Sequence, residues 1–202
     1  GNLYWSQLGV DILAHEDAIH EIEENSYTIL ERMKSYNRDK AVGTEVVIPN
    51  KSFSEKSIFT LGDLEFHVLH LGPAHGPGDT QVWLPQLSLM IAGDMAFHER
   101  MLPIFENTCT KCWLETWDEK FAPLNATYVI PGHGHPTNMA QVTRFTRDYL
   151  EDLRAKVLEV LDNGGDLAEA FYVDQERWRS LDTFEELAKR NAGRVFEEME
   201  FE

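Results

Sequence analysis

Between Gly72 and Thr80 the chain reads GPAHGPGDT. Two prolines and three glycines in nine residues exclude a helix and a central strand, because proline cannot donate to either hydrogen-bond ladder. The segment is a tight, irregular turn, and His75 stands in its middle. Leu64 to Leu71 before it and Gln81 to Leu84 after it read as strands, so the turn joins two strands of one sheet.

The rest of the chain extends that sheet and covers it. Ser57 to Leu61 and Leu64 to Leu71 flank Gly62-Asp63 as one hairpin, and Gln81 to Leu84 and Leu87 to Ala92 flank Pro85-Gln86 as another. Ala126 to Ile130 reads as a buried strand, with shorter strands at Val10 to Leu13 and at Val46 to Ile48. The segment after His15 predicts a helix to about Asn37, with Ile19, Ile22, Ile29, Leu30, Met33 and Tyr36 as its inward stripe. Thr110 to Leu124 predicts another, with Trp113, Leu114, Trp117 and Phe121 inward. A long helix is expected from the Asn138 and Gln141 capping pattern to Gly164-Gly165, and a last one starts at Thr183 with Glu186 at the capping distance. Strands and helices interleave without repeats, so the expected class is α/β or α+β, in a single domain over residues 1–202.

Composition limits the partners. With 43% hydrophobic residues in 202, the chain can bury a core of its own. Thirty-five acidic against 18 basic residues give a net charge of -17 without any Lys/Arg cluster, which excludes duplex nucleic acid and anionic membrane as expected partners. The longest apolar runs, such as Leu87 to Ala92, are too short to span a bilayer. No export leader opens the sequence, but Gly1 is not a start residue, and the compartment stays open.

His75 is one of three comparable positions. His75 follows the strand ending at Leu71, Asp94 follows the one ending at Ala92, and His133 follows the one ending at Ile130. Each stands in a glycine-rich turn: AHGPGD, AGDM and PGHGHP. Glycine permits the close approaches that a compact cluster of side chains needs. Two imidazoles and a carboxylate suit zinc, which binds nitrogen and carboxylate oxygen at about 2.0–2.2 Å. A lone histidine near a turn is ordinarily solvated or hydrogen-bonded, and a lone aspartate after glycine is ordinarily a turn former. Three such positions together carry the metal reading. Of the other histidines, His135 precedes Pro136 at the start of the long helix, His67 and His70 read as packing or surface residues of a strand, and His15 reads as core. His98-Glu99-Arg100, just after Asp94, is compatible with a place at the border of the pocket, and a solvated turn is the favoured reading. Cys109-Thr110-Lys111-Cys112 is compatible with a redox pair or half a zinc site; the helical stripe that follows favours two structural cysteines at a helix start.

In sequence order, HGPGDT, IAGD and PGHGHP resemble the third, fourth and fifth motifs of the metallo-β-lactamase-fold hydrolases. The segment from the long helix to NAGRVFEEME resembles the tail of bacterial members of the SoxH and quinoprotein-relay type. The resemblance implies an αββα sandwich, with His75 and His133 as metal ligands and Asp94 as the catalytic carboxylate bridging two metals. It implies a metal-dependent hydrolase, zinc being the expected cofactor and a small-molecule ester, thioester, amide or lactone the substrate, attacked by a metal-activated hydroxide. Iron is the alternative, for a sulfur-oxidising relative on the same scaffold.

One departure shapes these expectations. The family's leading His-x-His-x-Asp-His motif normally precedes a Gly-Asn such as Gly1-Asn2, and it is missing. The expected fold is therefore N-terminally truncated, its metal site partial, metal binding poor and activity low or lost, a non-catalytic domain being the other reading. An unpaired sheet edge and uncovered apolar face would then favour a symmetric homodimer.

Overall fold

The computed structural model describes residues 1–202. Strands β1 (Leu13–His15) and β2 (Lys51–Phe53) pair in parallel as a small separate sheet. The main sheet has five strands, β3 (Lys56–Leu61), β4 (Leu64–Leu69), β5 (Gln81–Leu84), β6 (Leu89–Phe97) and β7 (Tyr128–His133), in that spatial order. The first four run antiparallel, joined by the two expected hairpins and the His75 turn; β7 returns parallel to β6. A parallel return needs a crossover, and the segment from 98 to 127 supplies it.

Register decides which face is buried. Ile58, His67, Trp83, Met90 and Val129 form one cross-strand row, and Val68, Val82, Ile91 and Ile130 the next. Successive residues point to opposite faces, so the two rows look opposite ways. Met90 and Val129 are fully buried against Trp113, Trp117, Phe121, Val142, Tyr149 and Leu153, the core that the helices close. On the other face Ile91 and Ile130 are each 37% exposed, and Phe59, stacked on Phe66, and Leu61 are more open. The result is the α/β sandwich class expected from the sequence.

The helices are α1 (Asn2–Gln7), α2 (Glu16–Asn37), α3 (Thr110–Thr116), α4 (Met139–Val142), α5 (Asp148–Asp162), α6 (Leu167–Ala170) and α7 (Phe184–Met199). No helix is long and apolar enough to cross a membrane. Wide turns at Trp117–Phe121 and Thr143–Arg147 interrupt the two predicted long helices without ending them. Asn138 caps as expected, its Oδ1 accepting the Gln141 N–H at 3.1 Å, and Gly164 closes the helix at φ +72°.

Several expectations are corrected. The predicted inward stripe of α2 is not buried: no residue of the helix is, and Met33 and Tyr36 are 40% and 87% exposed. α2 meets the rest of the chain near its start, where Ala18 lies against Gly78 and Glu21 accepts from Asn107. The first strand begins at Leu13, not Val10, and its partner lies at Lys51–Phe53 instead of Val46–Ile48. Thr183 starts α7 with φ +65° and a buried, unpartnered hydroxyl, so its main-chain carbonyl, not its side chain, takes the Glu186 and Leu187 N–H groups.

One buried polar side chain locks the helical layer to the segment that leaves β6. Asn191 of α7 donates to the Leu102 carbonyl at 2.7 Å and to the Tyr149 hydroxyl at 2.9 Å, and accepts the Ile104 N–H at 3.0 Å. Asn191→Leu leaves a buried N–H and a buried carbonyl without partners, each costing about 1–3 kcal/mol. Urea unfolding of this variant is expected to show a loss of about 2–5 kcal/mol; an unchanged midpoint would contradict the locking role.

Candidate metal centre

The His75 turn is held from three sides. Thr116 donates its hydroxyl to the Pro73 carbonyl at 2.9 Å, and its side chain occupies the space a Cβ at Gly72 (φ +142°) would need. Thr108 donates to the His75 carbonyl at 2.8 Å. Asp79 accepts the Gly76 N–H at 3.0 Å. A Cβ at Gly78 would overlap the Ala18 backbone, which is why this turn carries glycine where α2 crosses it.

The other two positions differ from expectation in their setting. β6 does not stop at Ala92 but runs to Phe97, with breaks in its pairing to β7 at Gly93 and again before Phe97. Asp94 therefore projects from an irregularity inside a strand, a common device for re-aiming a side chain. His133 is the last residue of β7, not part of the turn beyond it.

The structure brings the three together. Asp94 Oδ2 is 4.0 Å from His75 Nδ1, and Asp94 Oδ1 is 3.7 Å from His133 Nε2, so the carboxylate lies between two imidazoles. Phe97 stacks on the His133 ring, and Phe105 and Trp113 meet the His75 ring edge-on. Phe97 is itself clamped: its N–H donates to the Thr146 hydroxyl at 2.8 Å, and that hydroxyl approaches the Phe97 carbonyl at 3.2 Å. His75 is thus walled by aromatic rings, while Asp94 and His133 keep about a third or more of their side chains open to solvent.

Two further residues belong to the cluster. Burial holds the Asp79 carboxyl above the usual carboxylate range, against the Gly76 hydrogen bond and the nearby His75, which pull it down; Asp94 adds to the rise. The sequence signal for Asp79 was its place inside the glycine turn itself. Arg100 corrects the reading of His98-Glu99-Arg100 as a solvated turn: its Nη1 lies 2.7 Å from His133 Nδ1 and 3.1 Å from Nε2. The segment is kept in place by the main chain of Asp182, which accepts from Met101 and donates to Glu99. Glu99 in turn binds the exposed His135 at 2.6 Å, which lowers the Glu99 carboxyl and raises the His135 imidazole from their ordinary values.

These residues fit a metal by one observation in particular. Asp94 places one carboxylate oxygen 4.0 Å from His75 Nδ1 and the other 3.7 Å from His133 Nε2, too far for hydrogen bonds, so the acid and the two imidazoles are left to share a cation. Nitrogen and carboxylate oxygen donors suit zinc and iron alike. Arg100 is the competitor, because a guanidinium only donates and so occupies a His133 lone pair.

A second His/Asp/His group lies elsewhere, at His15, Asp17 and His70. His15 is buried as expected and caps α2, its Nδ1 accepting the Asp17 N–H. His70 is not a plain packing residue: its ring stacks on His15 with centroids 3.8 Å apart. The two cysteines stand at a helix start as expected, and they form a disulfide, Cys109–Cys112.

The family description for the metallo-beta-lactamase superfamily matches residues 1–158. The chain belongs to this superfamily. No curated protein matches it. Among solved structures it is similar to a metallo-beta-lactamase from Pontibacter korlensis, with TM-score 0.59, 19% identity and coverage of 75% of this chain and 62% of that one. It is also similar to a stereoselective inverting sec-alkylsulfatase from Pseudomonas sp., with TM-score 0.68, 18% identity and coverage of 96% and 37%. A metallo-beta-lactamase family protein from Thermus thermophilus gives TM-score 0.62, 17% identity and coverage of 98% and 69%. The chain thus spans less than two thirds of the first two proteins' length. The superfamily includes hydrolases, sulfatases among them, and it implies metal ions. These matches carry the superfamily and its fold, and not the SoxH or quinoprotein-relay subgroup.

Two pH-dependent outcomes follow from the charges. His135 gains a partner on folding, so its contribution is present below its ordinary value of 6.5 and is lost as pH rises through its folded value. Its ring protons, followed by NMR, are expected to titrate above 6.5, and Glu99→Gln is expected to return them to the ordinary range; identical curves would exclude the pair. Asp79 behaves oppositely to a paired carboxylate. With its folded value raised, the stability that it supports is full below the unfolded value and is lost as pH rises through the folded one. Metal-free Asp79→Asn is expected to melt a few degrees higher than the parent at about pH 7 and to lose that advantage by about pH 3.

Proposed function

We propose that this chain forms part of a metal-dependent hydrolase acting on an ester, thioester, amide or lactone of a small molecule, with His75, Asp94 and His133 among the ligands of its zinc. The observation that carries the reading is the Asp94 carboxylate set between two imidazoles. A bound metal would supply Lewis acidity toward the scissile group and acidify a water molecule.

The chain's own residues set the conditions around it. Phe97, Phe105 and Trp113 keep water from the His75 side, which strengthens each electrostatic contact there. Asp79 adds negative charge behind His75 when it is ionised, favouring a cation. Arg100 holds the His133 ring by donating to Nδ1, which leaves the neutral ring's proton on Nε2; Arg100 must release Nδ1 and the proton must move there before Nε2 can ligate. Once displaced, its guanidinium lies at the open side of the cluster, where an anionic group of a substrate would find a donor. The apolar sheet face carrying Phe59, Ile91 and Ile130 is the surface that a second copy of the chain would cover in the homodimer that we propose.

The test is metal analysis of the chain loaded with zinc or with iron(II), followed by a panel of thioester, lactone, amide and alkyl sulfate ester substrates. Asp94→Asn is expected to lower both metal occupancy and kcat/KM by about a hundredfold or more, while Arg100→Gln binds metal several-fold more tightly. Parent-like occupancy and rate in Asp94→Asn would overturn the assignment. An iron-loaded chain that consumes oxygen without hydrolysing any of the panel would replace it with the oxygenase reading.

A further inference from the structure

The His15, Asp17 and His70 group shares no residue with the centre at Asp94, and one nitrogen of each ring is held by a main-chain carbonyl. His15 Nε2 lies 2.6 Å from the Ser54 carbonyl oxygen, and His70 Nδ1 lies 2.8 Å from the Asp79 carbonyl oxygen. A carbonyl oxygen only accepts, so each of these nitrogens carries the ring proton. His15 Nδ1 is bare, since it accepts the Asp17 N–H, and in the neutral ring so is His70 Nε2. Together with an Asp17 carboxylate oxygen, the two imidazoles offer donor atoms that all lie within 4.8 Å of one another. His15 Nδ1 to Asp17 Oδ2 is 3.6 Å.

Imidazoles that ligate metals almost always donate their second nitrogen to a carbonyl or carboxylate, which fixes the tautomer and raises the basicity of the ligating one. Here both rings are prepared in that way, by two different main-chain carbonyls. His15 is buried and braced edge-on by Phe53, while the Asp17 side chain is 57% exposed, so the group has a rigid base and an open mouth. Three tetrahedral ligands at about 2.0–2.1 Å from a metal stand about 3.3 Å apart, and closure requires the half-buried His70 ring to turn out of its 3.8 Å stack on His15 and the exposed Asp17 side chain to swing in. The present partner of His15 Nδ1 is the Asp17 N–H at 3.2 Å. That donor sits in the first turn of α2, has no partner within the helix, and can turn to water.

We propose that His15, Asp17 and His70 form a second metal site, for a divalent transition ion of the zinc, cobalt or nickel kind, leaving at least one position to water. A carboxylate with two imidazoles favours these ions over calcium or magnesium, which take mostly oxygen. The ion would tie the start of α2 to the end of the strand that leads into the His75 turn, since the Asp79 carbonyl that holds His70 belongs to that turn. It acts as a brace for the turn and does not depend on the hydrolase reading.

The experiment uses the whole chain carrying His75→Ala, Asp94→Asn and His133→Ala, which removes the other cluster, titrated with cobalt(II) by visible absorption and with zinc by calorimetry. One equivalent is expected to bind and to raise the melting temperature, and adding Asp17→Asn or His70→Gln is expected to weaken binding about tenfold or more. Both added changes leave the buried His15 cap in place, and circular dichroism checks the fold. No binding by the folded background variant, or equal binding with and without the added changes, overturns the proposal. Should the background variant not fold, the parent chain gives the answer. Cobalt(II) is expected to shift or broaden the ring protons of His15 and His70 as well as those of His75 and His133. Unperturbed His15 and His70 signals at saturating cobalt overturn the proposal, whatever happens at Asp94.

Discussion

Gly132 carries no side chain, and the Asp94 carboxylate occupies the space where a Cβ would sit. The parallel pairing of β6 with β7 makes this contact possible. In a regular ladder Asp94 would keep step with its neighbour; the break at Gly93, whose φ is +55°, turns the carboxylate across the strand toward β7. His133 then follows Gly132 at the end of β7 and faces the same carboxylate. Any larger residue at position 132 would push the acid away from the imidazole that it serves.

From that contact the supporting structure can be followed outward. Phe97, three residues after Asp94, stacks on His133, and Thr146 in the wide turn of the long helix holds the Phe97 backbone. Wide helical turns often mark functional positions, and this one is placed where a hydroxyl can reach a strand end. Trp113 donates to the Met95 carbonyl at 3.0 Å, so the crossover helix grips the same strand as well. Beyond it, Asn191 secures Leu102 and Ile104. Each of these hydrogen bonds satisfies a buried group that would otherwise oppose folding, so the packing of the helical layer and the aim of the cluster are set by the same bonds.

What was legible in the sequence is what local chemistry determines. Proline and glycine announced the His75 turn, Gly62-Asp63 announced a hairpin, and Asn138 announced a helix start, because each of these needs only its neighbours. His75, Asp94 and His133 could be picked out together since all three followed apolar strands among glycines. The extension of β6 past Gly93 was not legible, as pairing with β7 sustains it. The stripe along α2 was legible as apolar, but periodicity does not say what lies over it. Arg100 reaching His133, and His70 stacking on His15, depend on segments far apart in the chain, and nothing in the local pattern marks them. Asp79 stood in plain view within the first motif, and only its burial in the folded turn sets it apart from an ordinary turn former.

The separation in sequence of the three residues around Asp94 has a consequence for the order in which the molecule is made. His75 lies in the connection between two adjacent strands, β4 and β5, and so needs less chain to close than His133 does. His133 arrives only when the crossover through α3 has closed and β7 has docked in parallel, the slower kind of contact in any chain of this topology. The group at His15, by contrast, begins with a helix cap between near neighbours and is completed when His70 swings in from the end of β4. A ligand that needs Asp94 with both imidazoles has nothing to hold until the last strand is home, so occupancy there is coupled to completion of the native sheet and stabilises that final state over every partly closed one.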